Sequence, residues 1–149
     1  MRAINHIVIH CTATREHQDF KAADIDRWHK DRGWSGIGYH YVVRLDGTVE
    51  KGRPDAKNGA GVRGHNHDSI HVVYVGGLDK SGKAKDTRTK RQKYELLLLV
   101  IKLKKKYPCA DVSGHRDFSI DRNKNGIIES NERMKECPCY DAKIEYQNV

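Results

Sequence analysis

Two imidazoles and one thiol have the chemistry of a zinc site: His10, His115 and Cys137. Neutral imidazole and thiolate are good zinc ligands. His115 lies near the start of the stretch Ser113 to Asp141, and Cys137-Pro138-Cys139 near its end. His10 is far away in the chain, at the end of the apolar run Ile7-Val8-Ile9. A strand there would deliver it to a sheet edge. Three protein ligands leave a fourth position for water, which zinc can activate while polarising a carbonyl. Spacing alone does not show that the three meet. A strand histidine satisfied by a hydrogen bond, with a buried inert thiol, is the competing account. For Cys11 and Cys109 that second account is preferred, and Cys139 could substitute as a ligand.

Between His115 and Cys137 runs a second pattern. Asp121, Asn123, Asn125, Gly126 and Glu132 fit the calcium-loop spacing D-x-[DN]-x-[DN]-G-x5-E. Alternate oxygens, the carbonyl of Ile127 and the final carboxylate can wrap one calcium, and the glycine permits the sharp turn. The helix that should precede such a loop is missing, and Lys124 sits inside it. A tight Asn/Gly turn of the same backbone shape is the alternative. In either case calcium here would be structural, since the loop only leads into Lys135 and Cys137.

The elements that must position these groups are readable in part. Asn5 to His10 predicts a strand, rich in β-branched residues. Lys21 to Arg32 predicts a helix capped by Asp19, with Ala23, Ile25, Trp28 and His29 as a partial apolar stripe and Gly33 as its stop. Tyr39 to Leu45 and Thr48 to Glu50 predict a hairpin around Asp46-Gly47. Arg53 to Asp68 reads as a glycine-rich loop beside a groove, and Ser69 to Val75 as a central strand. Leu78 to Arg88 reads as an exposed loop. Thr89 and Gln92 form a capping-box pattern for a helix that runs to about Lys106. Tyr94, Leu97, Leu98, Ile101 and Leu103 are its expected buried side. Ala110 to Ser113 predicts a short edge strand, Arg116 to Asp121 a loop, and Ser130 to Glu136 a short helix. Alternation of helices and strands predicts an α/β fold with a single mixed central sheet flanked by helices.

The chain has 149 residues, enough for one domain with a real core. Its formal charge of +8 suits an anionic partner such as nucleic acid, lipid or cell-wall polymer, without choosing among them. The four cysteines permit disulfides, but a chain of this length does not need them. The longest apolar run, Leu96 to Ile101, is far too short to span a bilayer. No recognition helix or zinc-finger spacing supports specific nucleic-acid binding. A leaderless start predicts synthesis in the cytoplasm.

Taken in order, His10-Cys11-Thr12-Ala13-Thr14, Trp28-His29-Lys30, Gly38-Tyr39-His40-Tyr41, Asp46-Gly47-Thr48-Val49, Gly64-His65-Asn66-His67-Asp68-Ser69-Ile70, Val75-Gly76-Gly77, Gly114-His115-Arg116-Asp117 and Cys137-Pro138-Cys139-Tyr140-Asp141 resemble the zinc-dependent N-acetylmuramoyl-L-alanine amidases. The resemblance is to the small phage enzymes, which are also similar to peptidoglycan recognition proteins. It covers nearly the whole chain. It implies one catalytic domain over residues 1–149, with the calcium-loop-like stretch 121–132 as an insertion. It implies zinc on His10, His115 and Cys137, with Tyr39 and Lys135 assisting catalysis. The implied reaction is hydrolysis of the amide between N-acetylmuramic acid and L-alanine of peptidoglycan. The alternative is a recognition module that binds this polymer without cutting it. Retention of Cys137, Tyr39 and Lys135 favours hydrolysis. A monomer that reaches the wall after lysis or holin-type release is expected.

Asn66, His67, Arg63 and Arg116 are the expected substrate contacts. His40, His65, His67 and His71 are not assigned to zinc. Tyr39 and His40 should face opposite ways along a strand, so both are not expected in one site. This chain departs from the family pattern at Gly61, where a histidine is often found, and that leaves the groove wall from Ala60 to Arg63 undefined.

Overall fold

A computed structural model describes residues 2–133 and 135–149. Seven strands and three α-helices follow in the order β1 His6–Cys11, β2 Thr14–Arg15, α1 Ala22–Asp31, β3 Tyr41–Val43, β4 Val49–Lys51, β5 Ser69–Tyr74, β6 Gly77–Leu78, α2 Lys90–Lys106, β7 Asp111–Gly114 and α3 Ala142–Glu145. Five strands form the main sheet in the order β4-β3-β5-β1-β7, and β2 pairs with β6 in a small second sheet. The β3–β4 pair is antiparallel, while β1 runs parallel to both β5 and β7. The sheet is therefore mixed, with β1 and β5 central and β7 at an edge, as the expected α/β class requires.

Strand alternation divides the core into two layers. Ile7, Ile9, Ile70, Val72 and Tyr74 pack against Leu96, Leu99, Val100 and Leu103 of α2 and Ala142 of α3. Val42, Val73 and Val75 pack with Ile25 of α1 and with Ile37. Helices thus cover both faces of the sheet. His10 and His71 belong to the α1 side by the same alternation.

Four local expectations are corrected. The stripe of α2 is out of phase: Gln92, Leu96, Leu99, Val100 and Leu103 are buried, while Tyr94, Leu97 and Leu98 are exposed. Leu96 to Ile101 is apolar at every position, so periodicity cannot set the face. Gln92 sets it instead, because its amide donates to the carbonyls of Val43 and Val75 between strands. The cap of α1 is Lys21, whose N–H donates to the Asp24 carboxylate, while Asp19 pairs with Arg44. The expected helix at Ser130–Glu136 is a single 3-10 turn, Ser130–Glu132, and position 134 lies outside the described residues. The loop Arg116 to Asp121 begins inside a 3-10 turn, His115–Phe118.

The C-terminal helix was not legible in the sequence. It is short, and an ion pair between its exposed Glu145 and the buried Arg88 ties it down. The Arg88 guanidinium bonds both Asp86 and Glu145 and lies 3.2 Å from the centre of the Tyr140 ring. Among the described residues, no helix is long and apolar enough to cross a membrane.

Candidate metal centre

The strand register brings two of the ligands together. β1 and β7 are parallel neighbours with Ile9 opposite Gly114. The next residues are His10 and His115, so both imidazoles leave adjacent strand ends. Their ring centres are 4.9 Å apart. Asp117 accepts the Gly114 N–H at 2.7 Å and tightens the 3-10 turn that carries His115.

The Cys137 segment is fastened to the same place. The Arg116 N–H donates to the Cys137 carbonyl at 2.8 Å, and the Cys11 N–H donates to Cys137 Sγ at 3.1 Å. Tyr74 donates its hydroxyl to the Pro138 carbonyl at 2.6 Å. Gly114 has to lack a side chain, because a Cβ there would lie 2.5 Å from Pro138 Cδ. One ligand atom from each of His10, His115 and Cys137 lies within 4.8 Å of the others. Cys139 turns away, toward Cys11 and the Gly77 carbonyl, and Cys109 is exposed.

The chemistry of this donor set fits zinc. Burial holds the His10 imidazole well below its usual range, reinforced by His71, His115 and Lys135. Burial and the nearby Lys135 push His115 down to about 4. Both rings are therefore neutral near pH 7 and offer lone pairs, and the third donor is a thiol sulfur.

The remaining expected residues fall into two groups. Tyr39 lies against His10 with ring centres 5.1 Å apart, and burial raises its phenol, with Cys137 and Cys11 adding to the shift. Lys135 lines a groove of about 440 Å³ together with Trp34, Gly61, Arg63, His115 and Phe118. Asn66 also lines it. Its side-chain oxygen, however, accepts from Gly61 N, Val62 N and His71 Nε2. His67 is not among the lining residues and sits with its Nε2 3.9 Å from the Asp68 carboxylate. Arg116 is buried and faces Glu136 at 3.9 Å, so it serves the Cys137 segment rather than the groove.

His71 was missed by sequence reasoning. Its Nδ1 is 2.9 Å from His10 Nε2, and its main-chain N–H donates to His40 Nδ1. Tyr39 and His40 therefore both reach the cluster, one directly and the other through His71. The space above Gly61 is taken by the same ring, since a Cβ on Gly61 would lie 2.5 Å from His71 Nδ1. The signal available in the sequence was a polar residue at a core position of β5, between Ile70 and Val72.

In the 121–132 loop the acceptors turn inward. Asp121 Oδ2 accepts from Gly126 N, Asn123 Oδ1 from Asn125 N, and Asn125 Oδ1 from Ile127 N. Glu132 Oε1 accepts from the N–H groups of Arg122 and Asn123. These bonds close the loop on itself, whichever of its two accounts holds.

A family model described as N-acetylmuramoyl-L-alanine amidase matches residues 1–139. The chain belongs to this amidase family. The endolysin of Klebsiella phage KP32 is 35% identical over 139 residues, which cover 93% of this chain and 83% of that protein. Among solved structures, an N-acetylmuramoyl-L-alanine amidase, LysC, from Clostridium intestinale superposes with a TM-score of 0.71 at 29% identity, over 97% of this chain and 83% of that one. Drosophila PGRP-LB, at 21% identity and a TM-score of 0.72 over 99% of this chain and 82% of that one, shares the fold. The amidase-family sheet and its flanking helices are those described above.

Proposed function

We propose that this protein is a zinc-dependent amidase that hydrolyses the bond between N-acetylmuramic acid and L-alanine in peptidoglycan. The observation that carries the reading is the meeting of His10, His115 and Cys137 beside a groove that His115 and Lys135 line. When bound by these three residues, zinc would activate a water and polarise the amide carbonyl. The chain supplies the rest. Lys135 places positive charge beside His115, where negative charge develops on the carbonyl oxygen. Tyr39 keeps its phenolic proton at neutral pH and offers it as a hydrogen-bond donor. Trp34 and Phe118 give the groove apolar walls on which sugar and peptide can pack, and Arg63 offers a guanidinium to a stem-peptide carboxylate. A soluble monomer acting on the wall after release from the cytoplasm completes the proposal.

Calcium belongs to it as a structural ion at Asp121, Asn123, Asn125, Ile127 and Glu132. The motif spacing supports this, as does Asp121 Oδ1, which is buried without a hydrogen-bond partner among the described residues. A melting temperature that calcium leaves unmoved would remove this part.

The test of the main reading is zinc content and muropeptide products for the native protein and for His115→Ala. The expected result is a full equivalent of zinc and free stem peptides from the native protein, and neither from the variant. Native protein that binds peptidoglycan but releases no stem peptide would establish the recognition-module alternative instead.

A further inference from the structure

The rings behind His10 form a hydrogen-bond chain whose direction is set at its far end. Asn66 Oδ1 lies 2.9 Å from Gly61 N and 3.0 Å from Val62 N. Backbone N–H groups only donate, so this atom has to be the amide oxygen of Asn66 and not its nitrogen. The same oxygen lies 2.9 Å from His71 Nε2, which therefore carries a proton. The His71 ring is fully buried and its two nitrogens face only the Asn66 amide oxygen and the His10 ring, so a charge on it would have no counter-ion; the ring is neutral and its Nδ1 is an acceptor. His71 Nδ1 is 2.9 Å from His10 Nε2, and that nitrogen must then be the donor. The lone pair of His10 is left on Nδ1.

We propose that Asn66 and His71 are positioning residues: two main-chain amides of the groove wall, acting through them, hold His10 in its Nε2–H tautomer and so keep Nδ1 available to a metal ion. The proposal rests on the zinc reading above but adds to it a route by which the groove loop sets the ligand. Two further features fit. Gly59 and Gly61 leave room for the His71 ring, since a Cβ at either would come within 2.6 Å of it. A second bond, from His71 N to His40 Nδ1 at 2.9 Å, fixes the start of the His71 side chain. An outer partner of this kind orients a ligand imidazole and raises metal affinity.

Asn66→Ala removes the acceptor that orients His71. His71→Phe fills similar space but leaves His10 Nε2 without an acceptor, so His10 is free to exchange tautomers. The first measurement is long-range nitrogen-15 NMR of the histidines in metal-free native protein, which reads the tautomers directly. The expected pattern is a single Nε2–H form for both His10 and His71. The second is zinc affinity by competition with a chelator, for which each variant should bind about 10- to 100-fold more weakly, with His10 showing mixed tautomers. A native His10 protonated on Nδ1 would overturn the proposal even if neither variant folds. Unchanged affinity in both folded variants would overturn it as well. Neither readout uses substrate. A protein with this tautomer pattern that cleaves no peptidoglycan refutes the amidase reading alone, and an active amidase without the pattern refutes the positioning role alone.

Discussion

Each end of β1 carries a histidine cluster with ligand atoms within 4.8 Å of one another: His10 with His115 and Cys137 at one end, His6 with His65 and Asp68 at the other. Distance does not separate them, but their surroundings do. His6 Nδ1 is 2.8 Å from Asp111, and its Nε2 is 3.7 Å from Asp68. Two carboxylates bracket one ring, one of them hydrogen-bonded to it, and these contacts account for the cluster without a metal. The groups that act on the His10 ring are the imidazoles of His71, His115 and His40 and the cationic Lys135, with the Cys137 thiol close by. The His10 end is also buried and tied to the groove wall through His71 and Asn66. Ligand atoms close in space are ready to hold a metal ion when the groups behind them fix the direction of their lone pairs.

The largest effect should come from cutting the His10 end. Cys137→Ser or His115→Ala is expected to abolish stoichiometric zinc and to lower amidase activity by roughly a thousandfold or more, as the loss of several kcal/mol of metal-supplied stabilisation implies. Zinc analysis and muropeptide chromatography read both. Next come groups beside the metal that do not ligate it. Lys135→Met and Tyr39→Phe should each reduce kcat by about a hundredfold while zinc content stays full. Loss of zinc in Lys135→Met would mean that it acts on the site's assembly rather than on the reaction.

A smaller, pH-dependent effect should appear once metal is removed. Burial lowers His115 to about 4 and His71 to about 3 from an ordinary 6.5. Between those values the unfolded chain binds more protons than the folded one. Stability is therefore complete above about pH 6.5 and falls as the pH drops toward 4 and then 3. Melting curves of the metal-free protein across this range should show that slope, and His71→Phe should make it shallower. The smallest effect belongs to the other end of β1. His6→Gln is expected to leave zinc content and activity intact and to change stability by no more than about 1 kcal/mol, as for other partly exposed ion pairs. A fall in zinc stoichiometry in His6→Gln would erase the contrast between the two ends.

The α/β class, the hairpin at Asp46-Gly47, the edge strand before His115 and the capping box at Thr89 were legible because each is a local pattern. Short-range periodicity and turn chemistry report on a few neighbouring residues, and these elements need no more. The phase of α2 was not legible, because an unbroken apolar run has no preferred face until Gln92 meets the strand carbonyls. The neighbours of His67 and Arg116 were not legible for a related reason. Loop side chains take their direction from the segments packed against them, here Asp68 and Glu136.

By itself, the sequence determined which groups had zinc chemistry, and its ordered motifs pointed to the amidase family. Only the tertiary structure decided that His10, His115 and Cys137 meet, because their meeting depends on the parallel register of β1 with β7. It alone recruited His71 and gave Asn66 an internal task. A tautomer is chosen by the donors and acceptors that surround a ring, and these come from segments that no local pattern connects.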